Sequence, residues 1–193
     1  MPILNFILSC LYFFLPAYFT NMTSSLIKKH SFLKFLDKPI DSGKEFKGQP
    51  ILGSHKSWRG LIFGIVIGFL VVFSQKFLYQ FPIVQKISFL DYQKIDIYLF
   101  GFLMCFGAIF GDLLFAFIKR RLKLEPGARF FPFDQINYVI GAMLFLMPYF
   151  WFYSYIKGFS IWWMWITLFI LTFFLHIIVN RLGYLLNLHK HKW

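Results

Sequence analysis

Residues 107–141 read GAIFGDLLFAFIKRRLKLEPGARFFPFDQINYVIG. An apolar run carries an acidic residue, Asp112, and ends on Lys119, Arg120 and Arg121. A short loop with Pro126-Gly127 follows, and Asp134, Gln135 and Asn137 open the next apolar run. The pattern predicts two antiparallel helices joined by a short connection. A charged side chain in the apolar part of a bilayer costs at least about 2.5 kcal/mol, so Asp112 needs a cation, a cavity or water. Lys119 lies two helical turns on and shares its face. Asp134 at a helix start also suits the positive end of the helix dipole. Carboxylates able to hold Mg²⁺, beside Lys and Arg able to hold phosphate, are the parts of a phosphoryl- or nucleotidyl-transfer site. Basic residues ending a membrane helix also read simply as interface anchors. Asp112 is the residue that an anchoring role does not explain.

Around this hairpin the composition is that of a membrane protein. Hydrophobic residues make up 59% of the 193, and the mean hydropathy is +0.63, far above an ordinary soluble domain. Runs near the roughly 20 residues needed to cross a bilayer recur. They predict an all-α integral membrane protein, a single domain over 1–193, with about five transmembrane helices near 3–19, 58–79, 97–119, 135–156 and 160–186. Pro16 is expected to kink the first of these near its end. That run lacks a charged start and a convincing cleavage site, so it reads as a helix rather than a signal peptide.

The net charge of +12 is split among loops between apolar runs, which argues against nucleic acid as the partner. Eight Lys or Arg fall in 21–59 and five in 119–129, with Arg181, Lys190 and Lys192 near the end. Positive-inside retention and anionic headgroups account for most of this charge. The rule places loops 21–56 and 119–134 and the C-terminus in the cytosol, and the N-terminus and the charge-balanced loop 81–96 outside.

Gly60, Gly64 and Gly68 form a small-residue face for helix packing, and Gly101, Gly107 and Gly111 another. Such faces permit a homodimer without requiring one. Trp162, Trp163 and Trp165 read as an interfacial belt. Cys10 and Cys105 read as small buried residues. The segment GSHKSWRG, 53–60, places Gly53, His55, Lys56 and Arg59 before the second span, where glycine permits close approach and Lys and Arg can meet phosphate. His176 and Asn180, one turn apart, read as a structural pair between helices. The HKHKW end reads as a charged tail. No Walker A loop appears, nor the DGxxAR, His-x4-Asp or SGH signatures of other membrane lipid enzymes.

Taken together, these motifs resemble the CDP-archaeol synthase family of the CTP:phosphatidate cytidylyltransferase superfamily. The residues that carry the resemblance are Gly111-Asp112, Lys119-Arg120-Arg121, Pro126-Gly127, Asp134-Gln135-Ile136-Asn137 and Gly141. Upstream, Ile51-Leu52-Gly53 and Lys56-Ser57-Trp58-Arg59-Gly60 belong to the same pattern, as do Leu15-Pro16-Ala17-Tyr18 and the closing LHIIVNRLGYLLNLHKHKW. Two positions depart from it: Ala116 stands where the family has Ser, and Asn137 where it has a second Asp.

The resemblance implies cytidylyl transfer from CTP to an archaeol-type lipid phosphate in phospholipid biosynthesis, at the cytosolic face of the cell membrane. It implies Mg²⁺ held by Asp112, Asp134 and Asn137, with Asp112, Lys119, Arg120 and Asp134 as the catalytic group. Gly53, His55, Lys56, Arg59, Arg121 and Gln135 become the substrate-binding set. A diacyl phosphatidate substrate is the alternative within enzymes. A non-catalytic lipid-binding protein on the same scaffold is the alternative that Ala116 and Asn137 motivate. A small transporter built on Asp112 is a weaker third.

Overall fold

The computed structural model describes residues 2–27, 32–125, 128–153 and 161–185. The Pro126-Gly127 turn, the 157–159 connection and the tail with Lys190 and Lys192 lie outside them. In chain order the elements are α1 (Ile3–Leu26), a two-residue hairpin β1 (Glu45–Phe46) and β2 (Gln49–Pro50), α2 (Trp58–Leu78), the short α3 (Pro82–Lys86), α4 (Ile97–Arg121), α5 (Phe133–Tyr153) and α6 (Ile161–Leu185). Helices α1, α2, α4 and α6 are each long and apolar enough to cross a membrane. Helix α5 is of similar length, but Asp134, Gln135 and Asn137 fill its first two turns.

The expected helices are present, with shifted ends. Helix α1 runs on past Pro16 to Leu26 instead of ending near Phe19. Helix starts follow local chemistry. Ser57 caps α2 by accepting from the Gly60 N–H, and Asp96 caps α4 by accepting from Tyr98 and Leu99. These are side-chain oxygens meeting the unsatisfied N–H groups of a first turn.

Packing is set by glycine. A Cβ on Gly60 or Gly64 would press on the α1 backbone at Ser24 and Thr20, and one on Gly68 would overlap the Thr20 hydroxyl and the Cys105 sulfur. On α4, Gly107 and Gly111 face Gly141 of α5 so closely that a Cβ on Gly141 would collide with the Gly107 carbonyl and the Gly111 nitrogen. Both glycine faces are thus packed against helices of the same chain. The α4–α5 contact is the one that positions the site.

Elsewhere the core is aromatic. Phe13, Phe14, Phe100 and Trp165 are fully buried, with Trp165 edge-on to Phe13 and Phe14. Only Trp162 and Trp163 of the expected belt are exposed. At about 100° per residue, Trp165 falls on another face of α6. The 81–96 connection is likewise more than an outer loop, since Phe89, Leu90, Tyr92 and Ile95 are buried. Tyr92 donates to the buried Gln75 amide, which bonds the Tyr12 carbonyl in turn. Cys10 and Cys105 are buried free thiols.

A candidate active site under a folded loop

The described part of the long basic loop, 32–57, folds back on itself. Ile40 N–H donates to Lys56 O and Trp58 N–H to Lys38 O, closing the loop's base. Asp41 is its hub: its carboxylate accepts from Gly43 N–H at 3.1 Å, Leu52 N–H at 2.8 Å and Gly53 N–H at 3.0 Å. Gly53 sits at φ +93°, a conformation that side-chain-bearing residues rarely adopt. Burial pushes the Asp41 carboxyl up, but the backbone N–H groups of Leu52, Gly53 and Gly43 outweigh it and hold the group below its ordinary value. A carboxylate depressed in this way stabilises the fold at neutral pH, and that stability is lost as pH falls through the lowered folded value. Asp41→Asn removes the charge that three N–H groups share. It is expected to speed proteolysis of the 40–53 segment at neutral pH, and limited proteolysis with mass mapping reads it directly. An unchanged cleavage rate would remove Asp41 as the loop's hub.

Two arginines of the expected substrate set hold this loop in place. Arg59, 1% exposed, pairs with Asp37 at 2.8 Å and donates to the Phe32 carbonyl at 3.1 Å. Arg121 donates to the backbone carbonyls of Phe46, Gln49 and Pro50, and its guanidinium stacks over Phe46 and Phe117. Neither lines the cavities described next. The planar five-donor fork that suits phosphate also suits a cluster of loop carbonyls.

So fixed, the loop delivers Lys56 to α4. The Lys56 Nζ lies 2.6 Å from Asp112 Oδ2. Asn137 on α5 donates from Nδ2 to the other Asp112 oxygen at 3.3 Å. Lys119 does not pair with Asp112 as their shared face suggests. It reaches both oxygens of Asp134, at 2.9 and 3.0 Å, and the Ala128 carbonyl. Asp134 is further fixed by the Phe130 N–H at 2.7 Å. A cavity of about 300 Å³ is lined by His55, Lys56, Asp112, Lys119, Arg120, Asp134 and Asn137, with Leu52 and Ala116. A second lobe of about 230 Å³, toward Ser24, Ser57 and Leu61, shares His55, Lys56 and Asp112. The Lys56–Asp112 pair therefore borders both.

Of the expected site residues, the structure gathers Asp112, Asp134, Asn137, Lys56, Lys119, Arg120 and His55 around one cavity. Arg120 is turned partly away, donating to the Leu124 and Glu125 carbonyls. Gly53 contributes backbone to the loop hub. Gln135 is buried and lines a different cavity. Asp37 and Asp41 went unassigned in the sequence, although Asp-Ser-Gly at 41–43 is the composition of a side-chain-capped turn.

The donor set suits a hard divalent cation in kind: two carboxylates and an amide on one cavity. Among the described residues no three His, Cys, Asp or Glu side chains converge. Mg²⁺ is commonly held by one or two carboxylates plus water and phosphate oxygens, so the set fits without a closed cage. Each carboxylate carries a lysine ammonium here, which neutralises it. Asn137 presents its N–H₂ to Asp112, while its oxygen accepts from the Tyr138 N–H at 2.6 Å. As an oxygen ligand it must turn over.

Comparison with known proteins covers nearly the whole chain. The family model described as CarS-like: CDP-archaeol synthase matches residues 3–193. The CDP-archaeol synthase of Archaeoglobus fulgidus is 34% identical over 98% of this chain and 99% of its own. That of Methanocaldococcus jannaschii is 33% identical over 95% of each. A solved structure described as an intramembrane enzyme for archaeal membrane lipids biosynthesis shares the fold, with a TM-score of 0.66 at 20% identity, covering 88% of this chain and 91% of its own.

Proposed function

Since this chain belongs to the CDP-archaeol synthase family, we propose that it transfers the cytidylyl group of CTP to an archaeol-type lipid phosphate, giving CDP-lipid and pyrophosphate. The observation that carries the reading is the pairing of two carboxylates with two lysines around one cavity, Asp112 with Lys56 and Asp134 with Lys119. Charge of both signs, already placed and partly shielded from water, is what a polyphosphate reaction needs.

An oxygen of the lipid phosphate attacks the α-phosphorus of CTP. That new P–O bond replaces the bond to the β-phosphate, and pyrophosphate leaves. No protein nucleophile takes part, so the protein supplies position and charge. Lys56 and Lys119 exchange their carboxylate partners for phosphate oxygens when CTP binds. Arg120 adds charge from the same wall. Asp112 and Asp134, freed by that exchange, would hold Mg²⁺, with Asn137, its amide turned over, as an auxiliary oxygen ligand. The ion, when bound, neutralises charge on the phosphates. His55 lines the edge shared by both lobes and contacts the substrate there. Arg59 and Arg121 keep the loop that carries Lys56 in register, and Gly53 forms the turn before it.

The excess of Lys and Arg in the loops that carry the site supports a cytosolic orientation at the cell membrane, where CTP is available. The protein acts there as an integral membrane enzyme. The archaeol-type substrate rests on the family. Ala116 lines the cavity and Asn137 bonds Asp112, so both family departures lie inside the site. They keep a non-catalytic reading on the same scaffold testable.

CTP labelled at the α- or the γ-phosphate tests the reaction class with purified protein, Mg²⁺ and lipid phosphate. The α-label is expected in the lipid product and the γ-label in pyrophosphate. Label from the γ-position in the lipid means phosphoryl transfer and overturns the reading.

A further inference from the structure

The long basic loop holds aromatic side chains against two membrane helices and leaves them uncovered. Phe32 packs edge-on against Phe63, in the second turn of α2, with ring centroids 6.0 Å apart, and stays 62% exposed. Phe35, in the single turn Lys34–Leu36 beside it, is 67% exposed. In the hairpin, Phe46 lies against the Arg121 guanidinium that also covers Phe117, at the end of α4, and is 49% exposed. Exposed lysines flank each point. Lys34 and Lys38 accompany the first, Lys44 and Lys47 the second, and Lys123 follows just beyond the end of α4. Lys47 Nζ lies 5.7 Å from the centre of the Phe46 ring. Among the described residues none of these five lysines forms an ion pair. The nearby acids do little to offset them, since Asp37 is taken by Arg59 and Asp41 by backbone N–H groups, which leaves the exposed Glu45.

Positive-inside retention explains lysines in a loop between membrane helices, but it calls for no aromatic residues. Uncovered phenylalanine is unfavourable in water. Here the uncovered rings lie beside the ends of α2 and α4, where the apolar core of a bilayer gives way to headgroups. Phe63, the contact of Phe32, is about 7.5 Å along α2 from its first residue. Rings that reach the acyl boundary, with lysines spread around them in the headgroup layer, are the composition that binds an anionic interface. A soluble anion would engage the lysines and leave the rings in water.

We infer that this loop docks on the anionic headgroups of the bilayer that holds α2 and α4. Phe32 and Phe35 with Lys34 and Lys38 form one docking point, and Phe46 with Lys44 and Lys47 forms the other. The partner is a lipid surface of net negative charge, not a single lipid bound in a pocket. Docking bears on the candidate site because the same segment carries Lys56. The Lys38 carbonyl accepts from Trp58 N–H, the Lys56 carbonyl accepts from Ile40 N–H, and Asp37 holds Arg59. The first docking point and the Lys56–Asp112 pair therefore share one hydrogen-bonded base. The surface charge of the bilayer becomes an input to how firmly Lys56 is placed. Docking requires that α2 and α4 cross a membrane and is independent of the cytidylyl-transfer reading.

Backbone hydrogen exchange tests this with the full chain in lipid nanodiscs. One set is neutral phosphatidylcholine, and the other contains about one third phosphatidylglycerol, a surface at which each lysine is worth about fivefold in binding. The amides of Gly43, Lys44, Ile51, Leu52 and Gly53 all bond within the loop and report on it. They are expected to exchange at least about tenfold more slowly in the anionic discs, with the difference shrinking as salt is raised. The variant K34Q/K38Q/K44Q/K47Q is expected to match wild type in neutral discs, because these lysines are exposed and make no ion pair, and to lose the slowing in anionic ones. K34R/K38R/K44R/K47R, which keeps the charge, is expected to retain it. K86Q/K94Q, on the 81–96 connection, is expected to retain it as well. Equal exchange of wild type in the two discs overturns the proposal. So does a slowing that survives the four Lys→Gln changes, which would place the lipid's effect elsewhere. The same slowing in neutral discs on adding soluble polyphosphate would assign the lysines to a soluble anion and overturn it too. No turnover is measured, so a chain that docks in this way but makes no CDP-lipid refutes the reaction and leaves the docking surface standing.

Discussion

Asp112→Asn is expected to lower CDP-lipid formation at least about a hundredfold, the scale of removing one preorganised charged group from a transfer site, while the helices stay folded. Asp112 accepts from Lys56 on one oxygen and from Asn137 on the other. The amide has the same shape and lacks the charge. Lys56 then faces a neutral group, and the hard-oxygen pair with Asp134 is reduced to one carboxylate. Folding is expected to survive, because α4 meets α5 through Gly107, Gly111 and Gly141 rather than through this bond. The distinguishing readout is the Mg²⁺ dependence. Residual turnover in the variant should need much more Mg²⁺ for half-maximal rate. Turnover within a few-fold of wild type at the same Mg²⁺ would remove Asp112 from the chemistry.

Gly141→Ala is expected to damage both stability and activity through one methyl group. The added Cβ meets the Gly107 carbonyl and the Gly111 nitrogen, backbone atoms of α4 that cannot rotate aside. The helices must separate, and overpacking of this kind costs about 1–3 kcal/mol. Separation also draws Asn137, one turn before Gly141, away from Asp112. Gly101→Ala is the matched control. Its Cβ would meet the ring of Phe69, a side chain able to shift. Thermal unfolding in detergent is expected to show a clear drop for Gly141→Ala and a smaller one for Gly101→Ala, with turnover following the same order. Equal stability of the two would mean that the α4–α5 approach is less tight than the glycines indicate.

The hairpin of α4 and α5 was legible because its signals are local. An acidic residue in an apolar run, a basic helix end and an acidic helix start lie within 35 residues, and each has a physical reason. The partners of those charges were not legible. Asp112 and Lys119 do share a face, yet the short connection brings Asp134 onto Lys119, and Asp112 is met by Lys56 from 56 residues upstream. Spacing along one helix carries no information about such a contact. Arg59 and Arg121 read as phosphate ligands because an arginine fork binds phosphate and clustered carbonyls alike. Only the folded loop reveals that Asp37 and the hairpin carbonyls claim them. The apolar run stops near Phe19, so the expected end of α1 falls there, whereas the helix continues through polar residues to Leu26. The polar first turns of α5 were visible at once, but not that Asp134 and Gln135, side by side, enter different cavities.

The most direct test of the central claim is CDP-lipid synthesis from labelled CTP by the purified protein with Mg²⁺, with archaeol-type phosphate and diacyl phosphatidate run side by side. Labelled CDP-lipid is expected from the ether substrate, in amounts well above those from the diacyl one. Product from diacyl phosphatidate alone would contradict the archaeol-type assignment. No product from either, with a folded protein that still binds CTP, would contradict catalysis itself and make Ala116 and Asn137 the first positions to restore.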